Sequence, residues 1–141
     1  MKVYDANEVT IIVAGIPIDS GYDDGEFCRI EPESPDFVDK VGTDGEVTRS
    51  KTNDRRATCS VILMQSSTGN ALLSALNNID RLNGNGAGVG PFLVRDKQGT
   101  SLYAAAECWI SQPPNVSFDR EPTAREWTIR IANLERFDGG N

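Results

Sequence analysis

The sequence predicts a mainly β fold: a small barrel or sandwich of about seven strands, one flanking α-helix and a long extended hairpin or loop arm. Three observations predict it. Short apolar or alternating runs recur along the chain, punctuated by Gly, Pro, Asn and Asp. Only the stretch from Ser67 to Leu82 carries a helical period. Between Glu31 and Ala57 a polar segment with no helical period joins two strand-like runs.

Eleven of the twenty-four residues from Glu33 to Arg56 are charged, and the large apolar side chains there are Phe37, Val38, Val41 and Val47, too few for a separate core. A structureless connection this long inside a compact domain is usually functional or disordered. It reads as an interaction arm, about residues 32–56, on a β scaffold.

The elements follow in order. Val9 to Val13 is apolar and β-branched, and Ala14-Gly15 leads it into Ile16-Pro17-Ile18, a short hairpin or a bent strand whose Pro17 requires an edge or a bulge. A polar turn from Asp19 to Gly25 precedes a strand from Glu26 to about Glu31. Arg56 to Met64 alternates, with Ala57, Cys59, Val61 and Leu63 on one face and Thr58 and Ser60 on the other. Glu46 to Ser50 is its expected hairpin partner, with Thr52-Asn53-Asp54 at the tip. The helix from Ser67 to Leu82 has a Ser-Ser-Thr group for its N-cap and Asn83-Gly84 as its stop. Leu72, Ala75, Leu76, Ile79 and Leu82 form its expected core stripe. Phe92 to Arg95 returns through Asp96–Gly99 into a long strand, Thr100 to Ile110. Leu102, Ala104, Ala106, Cys108 and Ile110 share one face of that strand. After Pro113-Pro114 a short strand is expected at Val116 to Phe118. Arg125 to Leu134 closes the domain with Trp127, Ile129 and Ile131 inward.

The 141 residues suffice for one domain, 1–141, with a core that needs no disulfide or structural metal. A net charge of −7 argues against nucleic-acid binding by phosphate neutralisation, and acidic residues flank the densest basic group, Arg49, Lys51, Arg55 and Arg56. Met1-Lys2 leads into Tyr4, Asp5 and Glu8 rather than an apolar run, so neither a signal peptide nor a membrane span is expected. Cys28, Cys59 and Cys108 are widely spaced and read as small buried hydrophobes in a reducing compartment. The arm Met1 to Glu8 and the tail Phe137 to Asn141 are the segments expected to be free in an isolated chain, the first of them to order on assembly.

Catalysis finds little support. With no histidine, Ser-His-Asp and Cys-His devices are impossible. The glycine run from Gly84 to Gly90 leaves a helix and enters a strand through Pro91, the reverse of a phosphate cradle. Neither Asp19, Asp23, Asp24 and Glu26 nor Asp36, Asp39, Asp44 and Glu46 has calcium-loop spacing. No cofactor and no metal is expected, and an enzyme built on a carboxylate pair is the weakest reading.

Taken together and in order, Gly42 to Arg55, Met64-Gln65-Ser66-Ser67, Gly88-Val89-Gly90-Pro91 with Asp96 and Gly99, and Arg125-Glu126-Trp127 resemble the tail tube proteins of contractile-tailed bacteriophages. That family is similar to the haemolysin-coregulated protein of type VI secretion. The resemblance implies hexameric rings stacked into a hollow tube, assembled in the host bacterial cytoplasm and carried in the virion tail. Implied partners are further copies of the chain, the sheath, baseplate and tail terminator proteins, a tape measure protein in the lumen, and DNA that passes without specific binding. No membrane partner is implied. In such proteins a long loop reaches the next ring; here that role falls to Asp36, Phe37, Val38, Lys40, Asp44, Glu46, Arg49, Lys51, Asn53, Asp54 and Arg55. The tube reading also makes Thr58, Ser60, Glu126, Thr128 and Arg130 candidates to line the lumen, where negative charge would keep phosphates from sticking. The alternative is a ring-forming secreted or chaperone-like binding module of the same fold that does not polymerise.

Overall fold

The computed structural model describes residues 1–140. β1 (Val9–Val13) and β2 (Ile16–Ile18) form a hairpin on the turn Ala14-Gly15, where both residues have positive φ. β3 (Cys28–Pro32), β4 (Phe37–Val41), β5 (Val47–Lys51) and β6 (Ala57–Met64) follow, then the helix α1 (Gly69–Leu82). β7 (Gly90–Asp96), β8 (Leu102–Gln112), β9 (Ala124–Ile131) and β10 (Glu135–Phe137) complete the strands. A 3-10 turn, Ala6–Glu8, precedes β1, with the Lys97 amide donating to the Glu8 carbonyl at 3.0 Å, so the last part of the N-terminal arm is not free.

The main sheet has eight strands in the order β2-β1-β7-β8-β9-β6-β3, with β10 continuing past β9 to pair with the start of β8. Its pairings are all antiparallel. Among the described residues it does not close into a barrel; it is sandwich-like and wraps one core. β2 and β3 are its edges, and Pro17 sits on the first of them, where no ladder donor is lost. Period-2 alternation fills the core as expected: Cys59, Val61 and Leu63 of β6 and Trp127, Ile129 and Ile131 of β9 are buried with Ile11, Val13 and Phe92.

Five expectations need correction. β5 does not pair with β6. It pairs with β4 in a separate two-stranded sheet, because the glycines at 42 and 45 make the turn and Thr52–Arg56 runs back towards the body. Val116 to Phe118 is not a strand: Pro113 and Pro114 remove two backbone donors, and β9 already has β8 and β6 on its two sides.

β8 does not keep one face throughout. Gly90 lies opposite Cys108 and Phe92 opposite Ala105, so a bulge adds a residue to β8 and reverses its parity. Tyr103 and Ala105 therefore share the core side with Cys108 and Ile110, while Leu102 is exposed. Gly90 itself is required: a Cβ there would stand 2.8 Å from the Ala14 carbonyl.

The helix is turned relative to its expected stripe. Leu73 is fully buried and Leu76 packs on the core, whereas Leu72, Ile79 and Leu82 are 47%, 48% and 85% exposed. Polar anchors set this rotation. Asn70 donates from Nδ2 to the Met64 carbonyl (2.9 Å) and accepts from Trp127 Nε1 (2.9 Å), and Asp80 Oδ1 accepts from the Gly88 amide (3.1 Å). Thr68 occupies the N-cap position without a capping bond; Ser67 Oγ accepts from the Gly69 amide instead, at 3.2 Å. The tail is also not free, since β10 pairs with β8 and the Gly139 carbonyl accepts from Ser101 Oγ at 2.9 Å, with Asn141 outside the described residues.

Candidate assembly site

The segment from Pro32 to Arg56 is an ordered hairpin. Its register pairs Phe37 with Lys51, Asp39 with Arg49 and Val41 with Val47. Gly45 takes φ of 88°, and the Gly42 amide donates to the Glu46 carbonyl at 2.8 Å. Asp44 Oδ1 accepts from the Glu46 amide, tightening the tip.

Alternation gives the stem two faces. One presents Phe37, Asp39, Val41, Val47, Arg49 and Lys51; the other presents Val38, Lys40, Thr48 and Ser50. The Arg49 guanidinium lies 4.3 Å from the centre of the Phe37 ring, a cation–π contact within the hairpin. Every residue of both strands is exposed. A lone two-stranded hairpin is marginal in water, so this one lacks the packed face that would hold it against its own body.

The root is well tied. Ser34 Oγ donates to Asp54 Oδ2 (2.8 Å), and Arg56 donates to the same carboxylate from Nε (2.9 Å), Nη2 (3.0 Å) and its amide (3.1 Å). Those bonds, the Arg56 side chain foremost, hold the Asp54 carboxyl well below the usual carboxylate range. The Thr52 amide donates to the Asp36 carbonyl, the Glu33 amide to the Arg56 carbonyl and the Leu134 amide to the Arg55 carbonyl. Asn53 and Arg55 remain exposed beside this tie. The arm is thus rigid at its base and bare along its stem.

Register brings the other predicted residues together on the outer face of β6 and β9: Thr58 opposite Arg130, Ser60 opposite Thr128, Ile62 opposite Glu126. Ser60 is buried there, under Arg29, whose Nη2 reaches its hydroxyl at 3.3 Å. The Arg29 guanidinium also meets Glu26 (2.6 Å), Glu31 (2.9 Å) and Glu126 (2.9 Å). Arg130 pairs with Glu33 at 2.9 Å, and the Thr58 hydroxyl donates to the same carboxylate. Four carboxylates thus face two guanidinium groups, and the face is net acidic despite Arg130. Arg29, Glu31 and Glu33 were missed, although their alternate spacing along β3 and its continuation was the available signal. No metal-holding cluster of acidic or cysteine side chains occurs among the described residues.

Known proteins resemble this chain in sequence and in fold. The family described as bacteriophage PhiTE tail tube protein matches residues 7–139. A structural protein, ORF10 of Pseudomonas phage KPP10, is 30% identical over 145 residues, covering 99% of this chain and 84% of that protein. In fold, the chain is similar to a protein of the sheath-tube complex of an extracellular contractile injection system, with a TM-score of 0.61 at 8% identity over 96% of this chain and 91% of the other. It is similar also to a protein of that system's sheath/tube terminator, with a TM-score of 0.62 at 10% identity over 98% and 99%. A protein of the anti-feeding prophage cap gives 0.58 at 5% identity over 97% and 92%. Since the match takes in the core strands and the arm together, the chain belongs to the phage tail tube family and is a structural protein of the virion tail, not an enzyme.

Proposed function

We propose that this chain forms hexameric rings that stack into the hollow tail tube, and that the β4–β5 arm joins each ring to the next. The observation that carries this reading is the arm's combination of a fixed root and a fully exposed stem. An exposed hairpin offers backbone edges and the apolar side chains Phe37, Val41 and Val47 to a neighbouring copy. Docking there stabilises strands that water alone leaves marginal. Asp36, Lys40, Asp44, Glu46, Lys51, Asn53 and Arg55 supply charged and polar contacts around the apolar centre, and residues 1–5, ahead of the 3-10 turn Ala6–Glu8 that the chain forms by itself, order against a neighbour.

The acidic outer face of β6 and β9, with Thr58, Glu126, Thr128 and Arg130, lines the channel on this reading. Fixed negative charge there repels phosphates, so DNA and a tape measure protein occupy the lumen without adhering. Sheath, baseplate and terminator proteins bind the outside and the ends, and assembly takes place in the host cytoplasm. The fold neighbours, drawn from sheath-tube and terminator assemblies, support the sheath and terminator among these partners.

Replacing residues 37–51 by a short glycine-serine turn tests the reading. Negative-stain images are expected to show separate rings in place of tubes. Tubes of unchanged length would remove the arm from the ring-to-ring contact, and the absence of rings from both proteins would favour neither tube nor non-polymerising module.

A further inference from the structure

Two of the three cysteines meet across the edge of the main sheet. Cys28 on β3 lies opposite Val61 and Cys59 on β6 lies opposite Ile30, so both side chains point to the core side on one diagonal. Their Sγ atoms are 3.8 Å apart. Cys59 is fully buried, whereas Cys28 is only partly covered. Cys28 also lines an open cleft of about 420 Å3 between Phe27, Ile30, Val94 and Tyr103, wide enough to admit a small molecule. Cys108 is different: it is buried away from this cleft, with its Sγ accepting from the Ala14 amide.

We propose that Cys28 and Cys59 are an oxidisable dithiol, Cys28 the attacking and Cys59 the resolving sulfur, which closes a disulfide between β3 and β6 when a low-molecular-weight disulfide enters the cleft. The sulfur–sulfur bond of the reagent breaks as Cys28 Sγ attacks it, releasing one thiol and leaving a mixed disulfide on Cys28. Cys59 then loses its proton and attacks Cys28 Sγ, and the second half of the reagent departs as a thiol. In sum, two protein thiols are oxidised and one small disulfide is reduced to two thiols. The hydrogen bond from Cys59 favours the thiolate at Cys28, while Cys59 itself is held protonated until the mixed disulfide forms. Burial pushes the Cys108 thiol up to about 11 and keeps it out of the exchange. Closure requires the sulfurs to approach to about 2.05 Å, which the free edge strand β3 accommodates by a small slide towards β6. Because β3 ends at the root of the arm, the bond ties that root covalently to the sheet. This chemistry is independent of the tube reading.

The test treats the folded full chain with oxidised glutathione and follows it by mass. The expected product is lighter by about 2 Da, the loss of two hydrogens, with the tryptic peptide ending at Arg29 joined to the one beginning at Ala57. Cys108 is expected to be alkylated only after denaturation. In Cys59→Ser the reaction is expected to stop at glutathione on Cys28, and in Cys28→Ser no adduct is expected. A wild-type chain that keeps glutathione on Cys28, leaves both thiols free, or joins either to Cys108 while folded overturns the proposal.

Discussion

Leu72 and Leu73 are adjacent leucines in one helix, and the structure assigns them opposite fates. Leu73 is fully buried between helix and sheet, while Leu72 is about half exposed on the far side. Leu73→Ala removes buried methyl groups and leaves a cavity beneath α1, an expected loss of about 2–5 kcal/mol. Leu72→Ala removes the same atoms from a site already in partial contact with water, and alanine is the better helix former, so the expected loss is under about 1 kcal/mol. The comparison holds chain position and chemistry fixed and varies only the rotation of the helix. Urea unfolding of the dispersed protein, followed by tryptophan fluorescence, measures it, since Trp127 donates to Asn70 of the same helix. Equal losses, or a larger one at Leu72, would refute the rotation and restore the stripe that periodicity alone suggests.

Gly90→Ala places a methyl against the Ala14 carbonyl and is expected to cost about 1–3 kcal/mol by overpacking, read as a lower urea midpoint. Acid is expected to loosen the root of the arm. The folded Asp54 carboxyl is held below its unfolded value of about 3.9, so its stabilisation is complete above that pH and is lost as pH falls below it towards the folded value. Lower protection factors for the Thr52 and Arg56 amides below pH ~4, taken against the intrinsic exchange rate at each pH, are the expected sign, and Asp54→Asn should show the loosened root already at neutral pH with little further change. Changing Phe37, Val41 and Val47 together to Ser is expected to abolish tubes while shifting the stability of the body by no more than about 0.5 kcal/mol, because all three are exposed in the isolated chain.

What the sequence made legible, and what it did not, follows from side-chain contrast. β6 and β9 were readable because Cys59-Ser60-Val61 and Trp127-Thr128-Ile129 alternate apolar and polar side chains, and tertiary pairing obeyed that period. β4 was not, since Phe37-Val38-Asp39-Lys40-Val41 has no buried face to impose alternation; only its pairing with β5 defines it as a strand. The helix was found but misoriented, as Leu72-Leu73 and Ala75-Leu76 belong to two overlapping stripes and polar anchors at Asn70 and Asp80 decide between them. The bulge in β8 falls between Ala105 and Cys108, at the end of Ala104-Ala105-Ala106, a run that offers no contrast between faces. Within the arm the turn was not legible, because Gly42 and Gly45 compete with Thr52-Asn53-Asp54 as the apparent tip. The meeting of Cys28 with Cys59 depends on the β3–β6 register, which spacing along the chain does not encode.

On the proposed reading the arm gains its lasting order from a second copy, and hydrogen exchange tests that most directly. Amides of Phe37–Val41 and Val47–Lys51 should exchange rapidly in a dispersed subunit and become strongly protected in assembled tubes, while those of β6 and β9 stay protected in both. Equal protection of the arm in the dispersed subunit and the tube would contradict the account, because the hairpin would then owe nothing to its neighbour.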